Sequence, residues 1–216
     1  MAVLVKICGL STPETLDAAL DAGADMVGLV FYARSPRHVM LSQANRLAAQ
    51  ARGRAMIVAL VVDVDDVTLD DIRREVHPDL WQLHGRETIE RARAIRTATG
   101  TPVMKAIGIR SAADVAEARL YLPAADRLLL DAKPPADPSA LPGGNGLTFD
   151  WRLVADLSPP LPFMLSGGLT PETVATAIGL VRPQAVDVSS GVESAPGVKD
   201  VSKIRAFLTA VRAANA

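Results

Sequence analysis

The 216-residue chain is 49% hydrophobic and 22% charged, and Lys+Arg 23 against Asp+Glu 24 leaves a formal net charge of −1. That balance offers no basic face for nucleic acid, and the composition fits neither a disordered nor a collagen-like chain. No apolar run reaches the roughly 18 residues of a membrane span, no charged segment precedes the first apolar stretch as in a secretory leader, and the single cysteine, Cys8, excludes an internal disulfide and paired-cysteine zinc sites.

In chain order, short β-branched and apolar runs predict strands at Val3–Ile7, Met26–Phe31, Met56–Val62, Leu80–Leu83, Val103–Ile109, Arg127–Leu130, Phe163–Leu165 and Ala185–Val188. Between them, helical spacing and start signals predict helices at Thr12–Ala22, Ser42–Ala51, Leu69–Val76, Thr88–Thr97, Ala112–Tyr121, Asp150–Leu157, Pro171–Gly179 and Val201–Ala213. The first is the best marked: Ser11 or Thr12 can cap, Pro13 suits the first helical position, and Gly23 closes it. Eight such units give each about 27 residues, enough for a strand, a helix and two short loops.

Strict alternation predicts a parallel sheet covered by helices, and eight units favour closure into a (β/α)8 TIM barrel over an open doubly wound sheet. The expected architecture is one α/β domain over 1–216. Gly9-Leu10-Ser11-Thr12-Pro13-Glu14-Thr15 echoes Gly168-Leu169-Thr170-Pro171-Glu172-Thr173, each between a strand and a helix, as a repeated unit or a shared capping motif would. Lys133–Gly146 breaks the rhythm: it is long, rich in Pro and Gly, and without periodicity. Loops of this kind commonly carry function.

In a barrel, chemistry belongs to inward-pointing side chains at the C-terminal strand ends. Lys6 and Cys8 share one face of the first strand, Gln82 and His84 one face of the fourth, Asp131 ends the sixth, Ser166 ends the seventh, and Asp187 and Ser189 share one face of the eighth. The opposite faces carry Val5, Ile7, Trp81, Leu83, Leu128, Leu130, Val186 and Val188, which suit packing against helices. The polar set is therefore expected at the mouth. Taken singly, each has an ordinary alternative: Cys8 a small core residue, Asp131 a cap, His84 and Gln82 satisfied core groups. Lys6, two residues before Cys8, is expected to favour a thiolate.

The loops after strands 7 and 8 add a sharper signal. Gly167 and Gly168 let backbone approach a ligand just before a helix opens, and Ser189, Ser190 and Gly191 form a second Gly-containing turn. In barrels this pair of loops commonly cradles phosphate, so a small phosphorylated substrate is expected.

Lys6-Ile7-Cys8-Gly9-Leu10, Ser35-Pro36-Arg37, Gln82-Leu83-His84-Gly85, Leu129-Leu130-Asp131, Gly143-Gly144-Asn145-Gly146 with Thr148-Phe149-Asp150-Trp151, Leu165-Ser166-Gly167-Gly168-Leu169 and Asp187-Val188-Ser189-Ser190-Gly191-Val192-Glu193 together resemble the phosphoribosylanthranilate isomerase family of tryptophan biosynthesis. The matches run in order through almost the whole chain. Asn145 and Leu147 depart from it, standing where many members carry Thr and Lys. The resemblance implies an Amadori rearrangement without cofactor or metal, with Cys8 as general base and Asp131 as general acid. It implies Arg37 as a planar bidentate partner of the anthranilate carboxylate, and substrate contacts from Lys6, Gln82, His84 and Asp187. The missing export signal, the charge balance and the lack of a long apolar run predict a cytoplasmic enzyme that binds neither nucleic acid nor membrane, and a monomer or weak homodimer is expected.

Rival readings remain. A metal-dependent epimerase would need several His and carboxylates at strand ends, and only His84 of the three His lies at one. An isomerase that also takes a histidine-pathway aminoaldose is expected to use a carboxylate in place of Cys8. A noncatalytic phosphate-binding module would have no need of the Cys8 and Asp131 pair.

Overall fold

A computed structural model describes residues 2–136, 141–155 and 163–214. Among these, eight parallel strands close in sequence order: β1 (Leu4–Cys8), β2 (Met26–Phe31), β3 (Met56–Val61), β4 (Leu80–Leu83), β5 (Val103–Ile109), β6 (Arg127–Ala132), β7 (Phe163–Leu165) and β8 (Ala185–Val188), the last pairing back onto β1. The helices alternate with them: α1 (Pro13–Asp21), α2 (Leu41–Ala51), α3 (Asp66–Val76), α4 (Ile89–Thr99), α5 (Ala112–Arg119), α6 (Arg152–Ala155), α7 (Val174–Val181) and α8 (Val201–Ala214). This is the (β/α)8 barrel that the alternation predicts, and each strand falls within two residues of its predicted run.

Helix ends depart further, for local reasons. The third helix begins at Asp66 instead of Leu69, because the Asp65 side chain accepts from the Thr68 N–H and caps an extra turn. The seventh begins at Val174 instead of Pro171: Thr173 Oγ1 accepts from the Thr170 N–H at 3.0 Å, which holds 171–173 as a turn. The predicted Asp150–Leu157 helix overlaps α6, and its last two residues lie outside the described residues, as do 137–140 of the long loop. An unpredicted antiparallel hairpin, β9 (Glu193–Ala195) and β10 (Val198–Lys199), stands between β8 and α8.

The face assignment holds. Val5, Ile7, Trp81, Leu83, Leu128, Leu130, Val186 and Val188 are buried in the layer shared with the helices. Inside the barrel, Met26, Val58, Leu80, Met104, Leu129, Met164 and Ala185 form an apolar plug. Such a plug makes the barrel interior a packed core and leaves space for a ligand only at the mouth. At the N-terminal rim, one side chain before every even-numbered strand clamps the strand before it. Asp25, Asp79, Asp126 and Gln184 accept from the N–H groups of Val5, Ile57, Val103 and Phe163 at 2.8–2.9 Å. Each supplies a partner for a strand-end donor that has none within the ladder.

Candidate active site

At the C-terminal ends of the strands, one cavity is lined by Cys8, Arg37, Gln82, His84, Asp131, Asp187, Ser189 and Ser190 together with both predicted glycine loops. Its walls come from β1, β4, β6 and β8, and closure brings β8 beside β1, so residues remote in sequence meet there. The loop 141–147 adds a further wall. Gly143 lies directly against His84 and Asp131: a Cβ there would stand 2.6 Å from His84 Nε2 and 2.9 Å from Asp131 Oδ2.

On β1, Cys8 is buried opposite Gly28 of β2. Lys6 sits one inward position deeper, wholly buried and outside the cavity lining, and donates to Asp187 Oδ1 at 2.8 Å. Ser166 Oγ donates to the other oxygen of Asp187 at 3.1 Å. Burial works against the Lys6 charge, but Asp187 and Cys8 outweigh it and hold the ammonium above the ordinary lysine value. The expected thiolate does not follow. Burial pushes the Cys8 thiol up and Asp187 adds to the rise, against an opposing pull from Lys6. The resting residue is a thiol at neutral pH.

On β4 the Gln82 amide nitrogen lies 3.0 Å from His84 Nδ1, and His84 Nε2 lies 3.4 Å from Asp131 Oδ2. With the amide donating to Nδ1, the imidazole carries its hydrogen on Nε2 and faces the carboxyl. Asp131 Oδ1 accepts from the Ala132 N–H at 2.8 Å. Gln82 Oε1 is buried without a partner.

The two glycine loops interlock. Gly168 has φ +65, and a Cβ on it would meet Thr148 Cγ2 at 2.2 Å and Leu147 O at 2.8 Å. A Cβ on Gly191 would stand 1.9 Å from Leu169 O. Neither position has room for a side chain, and the clash at Gly168 is with the 141–148 loop and not with the cavity interior.

Arg37 differs from its expected geometry. Its Nε and Nη2 donate to Glu193 Oε1 and Oε2 at 2.7 and 2.8 Å, and Nη2 also reaches Gly144 O at 3.2 Å. The side-on fork expected to face a substrate is already occupied, and Nη1 alone remains free among the described residues. Glu193 in turn accepts from Lys199 Nζ at 2.6 Å, and Lys199 also donates to Ser189 O at 2.9 Å. Sequence reasoning assigned neither Glu193 nor Lys199 a task. The available signal was a lone carboxylate directly after a matched glycine turn.

Among the described residues no group of three His, Cys, Asp or Glu side chains is placed to hold a metal ion. No helix among them is long and apolar enough to cross a membrane.

The sequence pattern of the family described as N-(5'phosphoribosyl)anthranilate (PRA) isomerase matches residues 5–210. The chain belongs to this family. It is 58% identical over 215 residues to the N-(5'-phosphoribosyl)anthranilate isomerase of Nitrobacter winogradskyi, covering 100% of this chain and 95% of that one. Among solved structures, the phosphoribosyl anthranilate isomerase from Thermotoga maritima superposes with a TM-score of 0.87 at 37% identity, covering 98% of this chain and 99% of that one. A phosphoribosyl anthranilate isomerase in complex with reduced 1-(o-carboxyphenylamino)-1-deoxyribulose 5-phosphate superposes with a TM-score of 0.83 at 36% identity, with the same coverage.

Proposed function

We propose that this phosphoribosylanthranilate isomerase family member carries out the Amadori rearrangement of N-(5-phosphoribosyl)anthranilate to 1-(2-carboxyphenylamino)-1-deoxyribulose 5-phosphate, with Asp131 as general acid and Cys8 as general base. The observation that carries this reading is the convergence of both groups, two glycine loops and a buried arginine on a single cavity.

In the first step Asp131 delivers its proton to the furanose ring oxygen. The bond from that oxygen to C1 breaks as the nitrogen lone pair closes onto C1, giving an open-chain iminium. His84, hydrogen on Nε2 and facing Asp131, supports the carboxyl through this change. In the second step the Cys8 thiolate removes the proton on C2, and the electron pair neutralises the iminium to an enolamine. Return of a proton from Cys8 to C1, with loss of the C2 hydroxyl proton to the Asp131 carboxylate, gives the ketone and restores both groups. Because Cys8 rests as a thiol, the reactive fraction is the minor state with Cys8 deprotonated.

The backbone at Gly167, Gly168, Ser190 and Gly191 would hold the phosphate, and Arg37 Nη1 would meet the anthranilate carboxylate. Gln82 orients His84, while Lys6 and Asp187 act from beside and beneath Cys8 and not by touching substrate through Lys6. A thiol base requires a compartment that keeps it reduced, which supports a cytoplasmic enzyme. The test is fluorescence-monitored turnover of freshly prepared substrate, with and without a chelator. Turnover that is unaffected by the chelator and lost in Cys8→Ala and Asp131→Asn is the expected result; full activity in both variants would overturn the assignment.

A further inference from the structure

We propose that Glu193 is a positioning residue that sets specificity for the aromatic carboxylate by fixing which nitrogen of Arg37 faces the cavity. The inference rests on the reading of Arg37 given above. Glu193 grips the Nε and Nη2 edge with both carboxylate oxygens, while Gly144 O takes a further contact from Nη2. Gly144 also presses on the free end, since a Cβ there would lie 2.6 Å from Nη1. Gly9 backs the stem in the same way, with a Cβ position 2.7 Å from Arg37 Cδ. The guanidinium is therefore held on three sides and offers one nitrogen to a ligand.

Charge decides which ligand group that nitrogen donates to. Arg37, Lys199 and Glu193 are all buried. Burial pulls the Lys199 ammonium below its ordinary value against the opposing pull of Glu193, and with Lys199 charged two cations face one anion and leave one positive charge uncompensated. One carboxylate balances it. A neutral ligand group there would leave the charge buried and unpaired, which is the costly case. Burial alone would raise the Glu193 carboxyl, but Arg37 and Lys199 hold it below the usual range, so it stays ionised.

The same carboxylate ties this specificity contact to the rest of the site. Lys199 Nζ bridges Glu193 Oε1 to Ser189 O and Oγ, and Ser189 Oγ donates to Cys8 O at 3.1 Å. The β9–β10 turn packs on the Arg37 loop through Gly197, whose N–H donates to Glu193 Oε2 at 3.2 Å. The hairpin thus serves to hold one carboxylate against one arginine.

The experiment compares kcat/KM for N-(5-phosphoribosyl)anthranilate with that for N-(5-phosphoribosyl)aniline, which lacks the carboxylate, in wild type, Glu193→Gln, Glu193→Asp and Arg37→Ala. The wild type should prefer the carboxylated substrate, and Arg37→Ala should abolish that preference. Glu193→Gln loses the bidentate grip that aims Nη1 and adds a second unpaired positive charge. If positioning governs, the preference should fall by about tenfold or more, the order of one charged contact, with the change carried by KM, and a preference that rises instead would overturn the positioning role. Glu193→Asp keeps the charge but shortens the reach, so its preference should fall between the two; it also provides the measurement if Glu193→Gln does not fold. Equal losses on both substrates in the Glu193 variants, with Arg37→Ala still abolishing the preference, would overturn the positioning role alone. A preference that survives Arg37→Ala would overturn the reading of Arg37 itself and this inference with it.

Discussion

Lys6 and Asp187 stand opposite each other on β1 and β8, and Lys6 Nζ donates to Asp187 Oδ1 over 2.8 Å with both side chains buried. The pair uses the cation that the sequence places next to Cys8. What remains for the thiol is a neutralised neighbour and a buried setting, and both leave it protonated.

The first prediction concerns that thiol. Its proton affinity is raised, and the base is the deprotonated form, so the limb of kcat/KM governed by Cys8 should rise with pH and lie above the ordinary thiol range. Asp187→Asn removes an anion that raises the Cys8 value and frees Lys6. The thiol pKa should therefore fall in that variant, read as the pH dependence of alkylation by iodoacetamide. An upward shift would contradict the electrostatic account.

Turnover should separate the two reacting groups from the binding groups. Cys8→Ala and Asp131→Asn should each lower kcat by roughly 10²–10⁴, the usual worth of a general acid or base, with KM little changed. Single-turnover fluorescence measures the chemical step directly. A variant that loses affinity instead of rate has been assigned to the wrong role.

The two glycine loops, proposed to hold the phosphate, should depend on absent side chains more than on present ones. Gly191→Ala places a Cβ against Leu169 O, a backbone atom that cannot step aside, whereas Ser190→Ala removes only a hydroxyl. Gly191→Ala should raise KM by about tenfold or more, equivalent to roughly 1.4 kcal/mol of binding, and Ser190→Ala by much less. Competitive inhibition by inorganic phosphate should weaken in parallel.

Stability in acid should report Asp114. Burial would raise this carboxyl, but Lys133, Ser111 and the Arg110 and Ser111 N–H groups outweigh it and hold it at about 2 against an ordinary 3.8. A carboxyl depressed in the fold stabilises above its unfolded value, and that contribution is lost as pH falls from near 3.8 towards 2. Because Lys133 is half-exposed and screened, the contribution should be on the order of 1–2 kcal/mol. Asp114→Asn should flatten this part of the plot of denaturant midpoint against pH.

The N-terminal clamps should each matter to the fold and not to the chemistry. Asp126→Ala leaves the Val103 N–H without its acceptor, and a lost bond to a charged group costs roughly 1.5–3 kcal/mol. The urea midpoint should fall while kcat stays at the wild-type value, since Asp126 lies at the end of the barrel away from the cavity.

The eight strands, the alternation with helices and the inward faces of β1, β4, β6 and β8 were legible in the sequence, because strand periodicity is a local property of two or three neighbouring side chains. The same locality exposed Cys8, Gln82, His84, Asp131 and Asp187 as inward polar groups and marked both glycine loops. Caps such as Asp65 were within reach too, but helix ends rest on single side-chain bonds that many Asp residues could make. Pairing was another matter. Arg37 and Glu193 are 156 residues apart, and Lys6 and Asp187 are 181 apart. Only closure of β8 onto β1, with the β9–β10 hairpin folded across the Arg37 loop, brings these charges together. The protonation state of Cys8 and the nitrogen that Arg37 presents therefore belong to the tertiary structure, since burial and the distance between charges exist only once the chain has closed on itself.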